Sequence, residues 1–186
     1  MAENGIGASL KRKEDNRFLT GKGNFTGDIN RPGQTHAYIV RSPHAHATIN
    51  SVDISAAQSA PGVVGAFVGQ DLLDDAVGGL VCGASVTGKG GEVNKAPPRN
   101  VLTMDKARFV GDPIAVVIAE TPAQAKDGAE LVAIDYSELP STVSTATSDA
   151  DGAPQLHEEC PNNIALDWEL GDKDVVDAAF AVAHKT

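Results

Sequence analysis

A mixed α+β domain, with a largely antiparallel sheet and packed helices, is predicted by three features of this 186-residue sequence. Alternating and β-branched apolar runs are interleaved with short helical patterns. The connections between them span only a few residues, which favours hairpins over crossovers and so antiparallel pairing. No internal repeat occurs at a period of about 20 to 50 residues, which excludes a solenoid. A chain of this length hides roughly two-thirds of its extended surface on folding, so a core forms without a disulfide or metal staple.

The elements follow in chain order. Residues 1–16, ending Lys11-Arg12-Lys13-Glu14-Asp15-Asn16, are polar and aperiodic, and predict a flexible leading segment ahead of one ordered domain over 17–186. His36 to Ile54 alternates apolar positions (Ala37, Ile39; then Ala45, Ala47, Ile49, Val52, Ile54) and is broken at Ser42-Pro43, which predicts two strands or one bent strand. Ser55 is placed to cap a short helical turn over 56–60, which Pro61-Gly62 ends, and Val63–Val68 reads as the next strand. From Asp71 to Asn100 the chain is rich in glycine, carries Pro97-Pro98 and has little periodicity, so it reads as one long loop. Order returns at Val101-Leu102 and Ala107–Val110, turns at Gly111-Asp112-Pro113, and continues into Ile114–Ala119, whose β-branched content predicts the central strand. Thr121-Pro122 starts a helix over 123–132, with Ala125, Ala129 and Val132 on its buried stripe. Ala133–Tyr136 is a further strand, Ser141–Pro154 a polar surface connection, and Ile164–Leu170 alternates as a last strand. A final helix opens at Gly171-Asp172 and places Val175, Val176, Ala179, Phe180 and Ala183 at helical spacing; with no stop signal before Thr186, it is expected to continue into further sequence.

Composition narrows function. Fifteen Lys and Arg against 25 Asp and Glu give a charge of −10, which argues against a nucleic-acid partner, because phosphate binding is driven by cationic side chains. There is no apolar run of about 18 residues and no signal-peptide pattern at the start, so neither a membrane nor export is indicated and a cytoplasmic location is expected. Cys82 and Cys160 are far apart and form no Cys-x-x-Cys pair, so two free thiols are expected.

Candidate chemistry is sparse. Gly21-Lys22-Gly23 lacks the strand before it and the helix after it that a phosphate-binding loop needs, and Gly88-Lys89-Gly90-Gly91 lacks the hydroxyl residue that follows Gly-Lys in a P-loop. His44 and His46, two apart, would share a face on a strand and could ligate a metal together, but no third ligand is identifiable, which favours packing or local hydrogen bonding. Asp105, Arg108 and Asp112 surround a strand edge and could form an ion pair or clamp a carboxylate, and His157-Glu158-Glu159 offers acid and base groups. Neither set has a nucleophile at recognisable spacing, so no catalytic, cofactor-binding or metal residue is assigned; Asp112 reads as a turn cap and the two glutamates as surface charge.

Several segments, in order, resemble one family, the molybdenum hydroxylases: xanthine dehydrogenases, aldehyde oxidases and aerobic carbon monoxide dehydrogenases. They are Arg17–Asp28, Arg31–Ala47 with its Arg41-Ser42-Pro43-His44-Ala45-His46-Ala47, Ala60–Val64, Arg108–Ala115, Ala129–Pro140, and finally Gly171-Asp172 with Asp177–Phe180. The resemblance implies the N-terminal α/β-hammerhead domain of the large, molybdopterin-binding subunit, a scaffold not expected to be active alone. It also implies a parent enzyme that oxidises a purine, aldehyde, N-heterocycle or carbon monoxide with oxygen from water. That enzyme would use molybdopterin in dinucleotide form, with FAD and [2Fe-2S] clusters on partner subunits or domains. The fragment's partners would be the remaining catalytic domains of the same subunit and the FAD-binding and iron-sulfur subunits. The family's catalytic positions lie beyond this sequence and fall on none of its residues. The alternative is a self-standing split subunit or binding module that assembles with a catalytic chain.

Overall fold

In a computed structural model, residues 6, 9 and 11–184 are described, and they form two compact units, 1–34 and 35–186. Much of the leading segment expected over 1–16 lies outside the described residues; Asp15 and Asn16 open the first helix.

The first unit contains α1 (Asp15–Leu19) and a 3-10 turn over Thr26–Asp28. Arg12 donates from its backbone N and from Nε to the Asp15 carboxylate at 3.1 and 3.0 Å, closing the turn before α1. The Phe18 and Phe25 rings stack with centroids 5.2 Å apart. Gly23 permits that approach, because a Cβ there would sit 2.7 Å from the Phe18 ring. The glycine-rich run is thus a structural turn, as its flanking residues predict.

The second unit holds β1 (His36–Arg41), β2 (Ala47–Asp53), α2 (Ser55–Gln58), β3 (Val63–Val68), α3 (Gly69–Asp74), β4 (Lys106–Ala107), β5 (Pro113–Ala119), α4 (Pro122–Glu130), β6 (Ala133–Glu138) and α5 (Lys173–Val182). The strands form two three-stranded sheets, β1-β5-β3 and β4-β2-β6, with every pairing antiparallel. The predicted class therefore holds, with two sheets in place of one, and β5 is central in its sheet. The break at Ser42-Pro43 explains the division: consecutive strands β1 and β2 go to different sheets. The bend between them is pinned far along the chain, since Ser42 N donates to the Asp112 carbonyl (2.9 Å) and Gly111 N donates to the Ser42 carbonyl (2.8 Å).

The core lies between β1-β5-β3 and the helices α2 and α4. Ala57, Ala66, Val117 and Ala129 are buried together, with Val40, Ile54, Val63 and Val132 packed around them. The small residues of α4 let it sit close: a Cβ on Gly128 would lie 2.8 Å from Val63 and 3.1 Å from Val117. Alanine normally favours a helix interior over glycine by about 1 kcal/mol, but here overpacking of about 1–3 kcal/mol opposes it. The start of α4 is as predicted, with Thr121 Oγ1 accepting from Gln124 N and Pro122 in the first turn.

Four expectations are corrected. Ser55 is the first residue of α2 and not its cap: Ile54 holds the N-cap position without a side-chain cap, and Asp53 Oδ1, one residue earlier, accepts from Ser55 N at 2.9 Å. The stretch from Asp71 is not all loop, because α3 occupies its start, closed by Val68 N donating to Asp71 Oδ2 at 2.7 Å. Ile164–Leu170 is not a strand: its bonds to the irregular loop 88–95, Lys95 N to Ala165 O and Lys89 N to Asp167 O, do not extend into a ladder. Gly90 and Gly91, both at positive φ, turn that loop away. Finally, α5 opens at Asp172 as predicted, its side chain accepting from Val175 N, but it ends at Val182 with Ala183 in extended backbone, and Val175, Val176 and Phe180 are exposed.

Candidate functional site

A cavity of about 600 Å³ in the second unit opens beside the Ser42 bend. Its apolar walls are Leu80, Pro97, Pro98, Val101 and Phe109, and its charged groups are Arg41, Arg99, Arg108, Asp105 and Asp112, with His157. Residues that the sequence offers as two separate constellations, Asp105/Arg108/Asp112 and His157, therefore meet in one cleft.

Arg108 organises the floor. Its Nε donates to the Leu156 carbonyl and its Nη1 to the Lys106 carbonyl, each at 3.0 Å, while Nη2 lies 3.5 Å from Asp105 Oδ2. Asp112 is buried; its Oδ1 accepts from Thr103 Oγ1 at 2.7 Å and its Oδ2 from Arg108 N at 3.0 Å. The turn-cap role predicted for Asp112 is therefore present, and it reaches back to Thr103. Partial burial by itself would raise the Asp105 pKa, but the hydrogen bond and positive charge of Arg108 outweigh it and hold the carboxyl below the usual range.

Asn163 and Arg41 complete the frame; Arg41 lies in the Arg41–Ala47 motif without a role read for it, and Asn163 is not signalled by the sequence. Asn163, at φ +56°, accepts from Leu156 N (2.9 Å) and donates to the carbonyls of Ser148 (2.8 Å) and Pro154 (2.9 Å), fixing the strand of chain that presents Leu156 and His157 to Arg108. Arg41 Nη1 donates to the Gly111 carbonyl at 2.8 Å.

His157 is a pH-sensitive part of this frame. Burial pushes its pKa below the ordinary value, the Arg108 charge acts in the same direction, and Glu159 and Asp112 oppose both. The folded chain therefore favours the neutral ring, whereas the unfolded chain takes up a proton near pH 6.5. Stability should be lost as pH falls through that value. His157→Gln is expected to flatten the decline of Tm between about pH 7.5 and 5.5; melting curves that fall in parallel for both proteins would refute this.

His44 and His46 lie in the bend between β1 and β2, not on a strand, so the shared strand face that their spacing would give does not form. His44 Nδ1 is 3.3 Å from Glu138 Oε1, and its ring meets Tyr136 edge-on at 4.7 Å. The His46 Nδ1–H donates to the Pro140 carbonyl (2.7 Å), which leaves Nε2 buried without a partner among the described residues. Burial raises the Tyr136 pKa and nearby Ser42 opposes it, and the buried Tyr136 hydroxyl has no hydrogen-bond partner among the described residues. Among the described residues no group of three or more His, Cys, Asp or Glu is placed to hold a metal ion. An iron–sulfur cluster typically takes four thiolates, and with only Cys82 (exposed) and Cys160 (buried), both free thiols, the donor set does not fit one. No helix among the described residues is long and apolar enough to cross a membrane.

Two antiparallel sheets joined through a buried bend, with an arginine-lined cleft beside it, define a structural domain of the α+β class. Its family follows from comparison with known proteins. The family model described as aldehyde oxidase and xanthine dehydrogenase, a/b hammerhead domain, matches residues 20–140. Nicotine 6-hydroxylase large subunit from Paenarthrobacter nicotinovorans is 37% identical over 99% of this chain and 22% of its own length. Carbon monoxide dehydrogenase large chain from Afipia carboxidovorans is 35% identical over 97% of this chain and likewise 22% of its own. The crystal structure of a Cu,Mo-CO dehydrogenase superimposes with a TM-score of 0.75 at 34% identity, over 97% of this chain and 23% of that one. The chain belongs to the aldehyde oxidase and xanthine dehydrogenase family and contains its α/β-hammerhead domain. It spans about a fifth of the length of the curated relatives it matches.

Proposed function

We propose that this chain is the non-catalytic N-terminal scaffold domain, over 17–186, of the molybdopterin-binding subunit of a molybdenum hydroxylase. The parent enzyme hydroxylates a carbon centre or oxidises carbon monoxide with oxygen from water. It works in the cytoplasm and passes electrons from molybdenum through [2Fe-2S] clusters to FAD. The observation that carries this reading is the coverage: nearly the whole chain aligns with large subunits, yet it accounts for only 22% of their length. The molybdopterin would then be held by the rest of the large subunit, and FAD and the clusters by partner subunits or domains. The scaffold role rests on the fold: paired sheets and a helix-covered core, with Val175, Val176 and Phe180 left exposed on α5 as a surface for the catalytic domains.

The test is to purify the chain from a host supplied with molybdate and a working pterin pathway. No bound molybdenum above the blank and no hydroxylase turnover are expected. Stoichiometric molybdenum, or turnover with a dye acceptor, would overturn the scaffold reading.

A further inference from the structure

We propose that the cleft beside the Ser42 bend is a binding site for an organic anion, one with a flat apolar body bearing a carboxylate or phosphate. The proposal concerns residues of this chain alone and does not rest on the scaffold reading.

The charge arrangement comes first. The chain as a whole carries −10, yet three arginines line this one cavity. Of the two acids present, Asp112 is buried and bonded to Thr103 and the Arg108 backbone, and Asp105 is held by Arg108. The Arg108 guanidinium is in turn committed to the carbonyls of Leu156 and Lys106. What remains for a ligand is Arg41, which uses one N–H on Gly111, and Arg99, which has no carboxylate within 4.0 Å among the described residues. A guanidinium offers five donors in a planar fork that matches carboxylate and phosphate oxygens.

Shape and walls decide the rest. Arg99 is not on a loose loop: its carbonyl accepts from Leu80 N at 2.8 Å, and Gly79 allows that approach, since a Cβ there would lie 2.6 Å from the same oxygen. The wall carrying Arg99 is therefore tied across the excursion. The cavity of about 600 Å³ is far larger than a bare phosphate needs and lies within the range of small-molecule sites. Pro97, Pro98 and Phe109 offer flat apolar contact to a ring, which an inorganic ion would leave unused.

The experiment is calorimetric titration of the chain with 2-naphthoate, 2-naphthyl phosphate, uncharged 2-naphthol and inorganic phosphate. Saturable binding is expected for the first two, with 2-naphthol and inorganic phosphate each weaker by about tenfold or more. The stronger of the two anions identifies the head group. Arg99→Gln is expected to weaken the preferred anion by about tenfold with Tm unchanged, because Arg99 is exposed, and Arg99→Lys to recover part of the loss. Equal binding of 2-naphthol, no saturable binding by either organic anion, or an Arg99→Gln protein that binds like the wild type would overturn the proposal.

Discussion

Val117→Asp is expected to unfold the second unit at room temperature. Val117 is fully buried at the middle of the central strand, and it clusters with Ala57 of α2, Ala66 of β3 and Ala129 of α4. Burying a valine side chain stabilises by about 1.5–3 kcal/mol, all of which is lost. An uncompensated buried carboxylate adds about 3–5 kcal/mol, taken either as charge desolvation or as the cost of keeping the acid protonated. The sum approaches the whole stability of an ordinary domain, about 5–15 kcal/mol. Gly128 tightens the argument, because α4 is seated so close that a Cβ there would already lie 3.1 Å from Val117. Val116→Asp, one residue away on the opposite and only half-buried side of the sheet, is expected to melt cooperatively at a modestly lower temperature. Circular dichroism melts check the pair. A cooperative transition of Val117→Asp within about 5 °C of the wild type would show that the core is not where these contacts place it.

The strands and α4 were legible because their signals are local. Alternation over His36–Ile54, the β-branched run Ile114–Ala119 and the Thr121-Pro122 start each depend on neighbouring residues, and each element forms where its pattern lies. The division into two sheets was not legible, since it depends on Ser42 bonding to Gly111 and Asp112, about seventy residues away. Ile164–Leu170 shows the converse: its alternation is genuine, but a strand also needs a regular partner, and loop 88–95 supplies only two bonds. The candidate site divides the same way. Asp105, Arg108 and Asp112 are close in sequence and stood out together, whereas Arg41 comes to the cleft from about seventy residues away, and Asn163, which fixes the segment behind Arg108, carries no motif of its own.

Asp112→Ala is expected to cost about 2–4 kcal/mol, because it leaves both the Thr103 hydroxyl and the Arg108 N–H without an acceptor in a buried turn, and each orphaned group costs about 1–3 kcal/mol. The loss should extend beyond the turn. The Asp112 carbonyl also receives Ser42 N, so loosening residue 112 loosens the bend that divides the two sheets. Asp112→Asn is the sharper probe: it keeps the shape and one acceptor, but turns an NH2 toward one of two donors, so a loss between those of alanine and wild type is expected. Thr103→Val removes the donor and spares the carboxylate. In a double-mutant cycle with Asp112→Ala it should show coupling of about 1 kcal/mol. The cleft provides an independent readout, since Arg108 and Phe109 flank this turn: Asp112→Ala should weaken 2-naphthoate and lower Tm together, whereas Arg99→Gln should weaken the ligand alone. An Asp112→Ala protein with wild-type Tm would show that the carboxylate's bonds to Thr103 and Arg108 do not hold the bend.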